Sequence, residues 1–147
     1  SKQVVKIWGT NQMQPAEQIE NIANLINSMP TLKKVKAEVN SLGEVYYSTI
    51  ESKLKNKNIF EKFNTTNESK RRIIENLILA FQNHEIGILD DVNQINQLSY
   101  FQIKKTKTGY TYENDNASTH DDYVMSLAIA YDCTMATGFN GSFGFSR

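Results

Sequence analysis

Lys33-Lys34-Val35-Lys36-Ala37-Glu38-Val39-Asn40-Ser41-Leu42-Gly43 reads as a strand that runs into a turn. Val35, Ala37 and Val39 alternate with polar neighbours, the period of an extended element, and Asn40 to Gly43 supply turn chemistry. A helical period carrying Tyr46, Ile50 and Leu54 follows directly. On the N-terminal side, Val4-Val5-Lys6-Ile7-Trp8 ahead of Gly9 is a β-branched and aromatic run that predicts an earlier strand. Pro15 then opens a helix whose Ile19, Ile22, Ile26 and Met29 recur at helical spacing until Pro30 stops it. Strand, helix, strand and helix in that order predict an α/β fold. In open α/β sheets ligands and catalytic groups gather at the C-terminal ends of strands, and Glu38 stands at such an end.

Toward the C-terminus the alternation continues. After a polar linker at 55–58, Ile59-Phe60-Glu61-Lys62-Phe63 reads as a strand, and Thr66 or Asn67 caps a helix with the apolar stripe Ile73, Ile74, Leu77, Ile78 and Phe81. Its first turn holds Lys70-Arg71-Arg72, the one dense basic cluster, which serves either as a solvated helix face or as a phosphate contact. A short strand is expected at 86–89 and a short helix at 92–98, with Asp90 and Asp91 as its cap. Residues 101–105 and 110–113 predict a hairpin turned at Thr108-Gly109. From Ala136 the chain is rich in Gly, Ser and Phe without periodicity. Residues 1–135 are therefore read as one domain, and 136–147 as a tail, loosely ordered or pinned only by Phe139, Phe143 and Phe145.

The 147 residues suffice for a single core. Sixteen Lys and Arg balance sixteen Asp and Glu, so a generic positive field for nucleic acid is excluded and any DNA contact must be local. The single Cys133 rules out an intrachain disulfide framework and fits a reducing compartment. No apolar run approaches the roughly 20 residues that cross a bilayer, and no signal-peptide pattern opens the chain, so no membrane contact is expected.

The richest chemistry lies in Ser118-Thr119-His120-Asp121-Asp122-Tyr123-Val124-Met125-Ser126-Leu127-Ala128-Ile129-Ala130, two adjacent carboxylates at the mouth of an apolar helix. With Thr119 as N-cap, Asp121 and Asp122 fall in a first turn, where the helix dipole favours acids. They either start the helix or hold a divalent cation. Hard cations such as Mg²⁺ take oxygen ligands, and two of them about 4 Å apart need several carboxylates to offset their charge. Glu38, Asp121 and Asp122 supply the right atoms, in the strand-end and helix-start layout of two-metal nucleases of the RNase H type.

Three segments carry a family resemblance. Ala37-Glu38-Val39-Asn40-Ser41-Leu42-Gly43-Glu44, then Thr65-Thr66 with Ser69-Lys70-Arg71, then His120-Asp121-Asp122-Tyr123-Val124-Met125-Ser126-Leu127 resemble, in order and spacing, the C-terminal nuclease domain of tailed-phage large terminase subunits. The last motif is the most specific, and together they cover residues 33–133. The resemblance implies an RNase H/RuvC-like mixed sheet flanked by helices. It implies an endodeoxyribonuclease that cuts concatemeric double-stranded viral DNA at the start and end of packaging, using Mg²⁺ or Mn²⁺ in a two-metal site. Glu38 matches the family's acid on its fourth strand, Asp122 matches the last catalytic acid, and Asp121 is a supporting ligand. His120 either touches a phosphate or a water, or is a capping or surface residue. Lys70, Arg71 and Arg72, helped by Lys104, Lys105 and Lys107 of the hairpin, would line a DNA groove through salt-dependent phosphate contacts; the hairpin lysines also suit a protected strand edge.

Further expectations follow from the family pattern. An ATPase domain, a small terminase subunit and a portal are the implied partners, and the host cytoplasm, with transient presence at the procapsid, is the implied location. No Gly-x-x-x-x-Gly-Lys phosphate loop occurs in this chain. The family's first catalytic aspartate and its central strands would precede Val4, making residues 4–8 the third strand and the chain N-terminally truncated relative to the family. Such a fragment is expected to be weak or inactive, with open sheet edges that favour a homo-oligomer. Two rival readings are a resolvase or transposase domain of the same fold, and a non-catalytic module that docks on a portal or terminase subunit.

Overall fold

The computed structural model describes residues 1–114, 120–135 and 143–145. At its centre β2 (Val35–Glu38) lies between β3 (Phe60–Phe63) and β7 (Phe143–Phe145), parallel to both, with Val35 opposite Phe60 on one side and Phe143 on the other. Successive side chains of a strand point to opposite faces. Val35 and Ala37 join Phe60 and the apolar stripes of α1 (Pro15–Asn27) and α3 (Glu44–Ser52), including Ile22, Ile26, Tyr47 and Ile50. Lys36 and Glu38 take the other face, where Phe63 meets α4 (Asn67–Gln82) and α6 (Asp122–Met135) through Ile73, Ile74, Leu77, Val124 and Ala128. Helices thus cover both faces of the sheet, the arrangement that parallel strands require.

Local chemistry sets where the elements begin and end. Thr66 caps α4, its hydroxyl accepting the Ser69 N–H while the Ser69 hydroxyl accepts the Thr66 N–H. Beyond Glu38 a single helical turn, α2 (Val39–Leu42), leads to Gly43 at φ 84°, a left-handed conformation open to glycine, and α3 starts at once. Gly144 answers a different need. A Cβ there would lie 2.4 Å from the Ala130 amide nitrogen and 2.6 Å from the Ser126 carbonyl oxygen, so β7 reaches its place beside α6 only without a side chain.

Several sequence expectations are corrected. The N-terminal strand is β1 (Lys2–Gln3), parallel to β4 (Ile86–Gly87), with one more bond from Val4 N–H to the Gly87 carbonyl at 2.9 Å. Residues 5–8 form no strand, because β4 offers only two paired residues and Val5 faces solvent. β4 is likewise shorter than the expected 86–89. Asp91 caps α5 (Val92–Tyr100) as expected. The hairpin of β5 (Phe101–Thr106) and β6 (Gly109–Asn114) pairs Thr106 with Gly109, so the turn is Lys107-Thr108 rather than Thr108-Gly109. Parallel and antiparallel pairings both occur, in separate sheets among the described residues. The tail contributes β7, and with β3 and β7 on its two sides β2 presents no open edge. Phe139 and Thr119 lie outside the described residues. α6 begins two residues later than expected: the Asp121 carbonyl accepts the Met125 N–H at 2.9 Å, which puts Asp121 itself in the N-cap place.

Candidate metal centre and its basic flank

Glu38 ends β2 on the face covered by α4 and α6 and is only 7% exposed. A buried carboxylate needs hydrogen-bond partners. One is the Thr65 hydroxyl, which donates to Glu38 Oε1. Thr65 follows β3 and is held by Asn40, whose Nδ2 donates to the Thr65 carbonyl at 3.0 Å and whose Oδ1 accepts the Thr65 N–H at 2.7 Å. The segments leaving two neighbouring parallel strands are thereby tied together beside Glu38.

The mouth of α6 supplies the second half. Burial, then the charge of Asp121, push the Asp122 carboxyl above its ordinary value; Glu38 adds to the push and His120 opposes it. Glu38 and Asp122 therefore share one electrostatic environment, although they come from segments more than eighty positions apart. Asp121 turns toward α4, where the Lys70 ammonium lies 3.1 Å from its Oδ2. Among the described residues no three Asp, Glu, His or Cys side chains come together closely enough to hold a metal ion. The donor set nevertheless fits a hard cation. All its atoms are carboxylate oxygens, and the repulsion from Asp121 and Glu38 that adds to burial in raising Asp122 is what a divalent ion would offset.

The basic cluster does not present one face. Lys70 meets Asp121, Arg71 Nε meets Glu75 Oε1 at 2.8 Å, and Arg72 reaches Asp132 on α6. Asp132 is 4% exposed and also accepts from Lys36 at 2.6 Å. Burial opposes its ionisation, but hydrogen bonds and charge from Arg72 and Lys36 prevail and hold the carboxyl below its ordinary value. The hairpin docks on α4 through Tyr112, whose hydroxyl donates to Glu75 at 3.2 Å. Glu75 is five residues past Lys70, about 7.5 Å along the helix, so α4 links the hairpin lysines to the acid pair. Lys104 pairs with Glu113 at 3.7 Å, while Lys104, Lys105 and Lys107 are all exposed.

Sequence reasoning did not single out Thr65, Asn40, Gln97 or Asp132. Thr65 stood in the quoted motif without a role. Asp132 carried a usable signal, as an acid inside an otherwise apolar helix must be paired when buried.

A parallel sheet with helical layers on both faces is the arrangement of an RNase H-like fold. More particularly, the fold is that of a large terminase nuclease. The large terminase nuclease of thermophilic phage G20c, solved with bound magnesium, matches with a TM-score of 0.69 and 21% identity over 83% of this chain and 63% of that one. A second structure of that nuclease gives 0.68 and 20% over 84% and 64%. In sequence, the large terminase subunits of Thermus phage G20c and Thermus virus P23-45 are each 32% identical over 62 residues, 42% of this chain. The matched segment spans 13% of those curated relatives. No family model matches the chain.

Proposed function

We propose that this chain is the nuclease region of a viral DNA-packaging terminase, a metal-dependent endonuclease acting on concatemeric double-stranded DNA. The observation that carries it is that buried Glu38, at the end of β2, adds to the electrostatic push on Asp122, at the start of α6, on a fold shared with a magnesium-bound terminase nuclease. Glu38 and Asp122 hold a divalent cation, Mg²⁺ or Mn²⁺, with Asp121 as the supporting ligand for a two-metal arrangement. Held by these carboxylates, such cations would supply Lewis-acid activation of water and charge stabilisation for phosphodiester hydrolysis. The Thr65 hydroxyl, donating to Oε1, orients the Glu38 carboxylate. Lys70, exchanging Asp121 for a phosphate, with Arg71, Arg72 and the hairpin lysines Lys104, Lys105 and Lys107, lines the DNA path. His120 stands at its edge. An ATPase domain, a small terminase subunit and a portal are the proposed partners, and the host cytoplasm and procapsid the proposed places of action.

Calorimetric titration of Mn²⁺ tests the site. Binding to the wild-type chain that is lost in both Asp122→Ala and Glu38→Ala places the two acids in one centre. Binding that survives both substitutions sinks the assignment. Digestion of supercoiled plasmid, abolished in Asp122→Ala, then tests the activity.

A further inference from the structure

We infer that Gln97 is the positioning residue that sets the acid pair at the mouth of α6. The inference rests on the metal-site reading of Asp122. An aspartate in the N-cap place ordinarily turns its own carboxylate back to accept the N–H groups of the first turn. Asp121 does not: its carboxylate meets Lys70, and the first-turn donors need another acceptor. Gln97 provides it from α5. Its Oε1 accepts the Tyr123 N–H at 2.7 Å and lies 3.4 Å from the Val124 N–H. The side chain is buried, and α5 is itself pinned at its start by Asp91, whose Oδ1 accepts the Gln94 N–H at 2.9 Å.

Two consequences follow from using a carboxamide. Tyr123 comes directly after Asp122, so the bond to its N–H fixes the backbone that carries Asp122. The cap is also neutral, and it holds the turn without adding a third negative charge beside Asp121 and Asp122. Gln97 thereby frees Asp121 from capping and leaves its carboxylate to Lys70 or to a cation.

The test uses the whole chain, with Gln97→Met, which keeps the volume and removes the oxygen, and Gln97→Glu, which keeps an acceptor. Amide hydrogen exchange at Tyr123 and Val124 reads the cap, Mn²⁺ calorimetry reads the site, and circular dichroism melting reads the fold. Gln97→Met should lose protection at both amides and bind Mn²⁺ at least about tenfold more weakly, the usual consequence of removing a group that orients a ligand. Gln97→Glu should raise the protection at Tyr123 above that of wild type and bind Mn²⁺ no more weakly. A folded Gln97→Met with wild-type Mn²⁺ affinity overturns the inference and leaves the metal site standing. Wild-type protein that binds no Mn²⁺ overturns the metal reading and this inference with it. Should Gln97→Met not fold, Gln97→Glu decides: its charged oxygen must slow exchange at Tyr123, and unchanged exchange there refutes the cap.

Discussion

Replacing Asp132 by Asn should be among the most damaging single-atom changes in this protein. Asp132 on α6 is gripped by Lys36 of β2 at 2.6 Å and by Arg72 of α4, so one carboxylate ties together the three elements that carry Glu38, Lys70 and Asp122. The two cations respond differently to its loss. Arg72 is 51% exposed and can turn to water, which limits its share to under about 1 kcal/mol. Lys36 is 15% exposed and would be left charged against an amide and the Phe63 ring, 6.0 Å away. Breaking a buried pair from one side costs about 3–5 kcal/mol, and the partial access of both cations argues for the lower end, about 3 kcal/mol. At roughly 3 °C per kcal/mol for a chain of this size, the melting temperature should fall by about 10 °C. Urea unfolding of Asp132→Asn, Lys36→Met and the double variant measures the coupling directly, expected at about 2 kcal/mol or more. Asp132→Asn costing under about 1 kcal/mol, with effects that merely add, would refute the reasoning.

The same carboxyl predicts a pH dependence. Its folded value lies below its ordinary one, so its contribution is complete above the unfolded value of about 3.9 and is lost as pH falls through the folded value. The stability gap between wild type and Asp132→Asn should therefore be constant near neutrality and close progressively below about pH 4.

Other positions give sharper local tests. Thr65→Val removes the hydroxyl that donates to buried Glu38, and should cost about 1–3 kcal/mol in urea unfolding while also changing Mn²⁺ affinity; an unchanged affinity would separate Thr65 from the site. Gly144→Ala sets a Cβ against the backbone of Ala130 and Ser126, and should destabilise by about 1–3 kcal/mol through displacement of β7 from β2. Wild-type stability in that variant would show that β7 is not essential to the sheet.

What could be read without a structure was whatever depends on local chemistry. Helical spacing marked Ile19, Ile22 and Ile26 and then Ile73, Ile74 and Leu77, and capping chemistry marked Thr66 and Asp91, because those signals lie within one or two turns of the chain. Val4-Val5-Lys6-Ile7-Trp8 misled because strand propensity forms no strand without a partner, and β4 ends after two residues. The place of Phe143–Phe145 beside β2 was not legible at all, since its register is set by contacts with residues more than a hundred positions away.

The candidate site divides in the same way. Glu38, Asp121 and Asp122 were visible as residue types at a strand end and a helix mouth, and their motif pointed to the terminase nucleases. That Asp121 faces Lys70, that Gln97 does the capping, and that Arg72 and Lys36 converge on Asp132 could not be read, because each joins segments distant in sequence. The alternation in β2 is the clearest case. From the sequence alone Val35 and Ala37 belong to a buried face, while Lys36 and Glu38 look like the outward, solvated one. Only the tertiary structure lays α4 and α6 over that polar face, and burial there turns a charged residue into a clasp and a carboxylate into a candidate ligand.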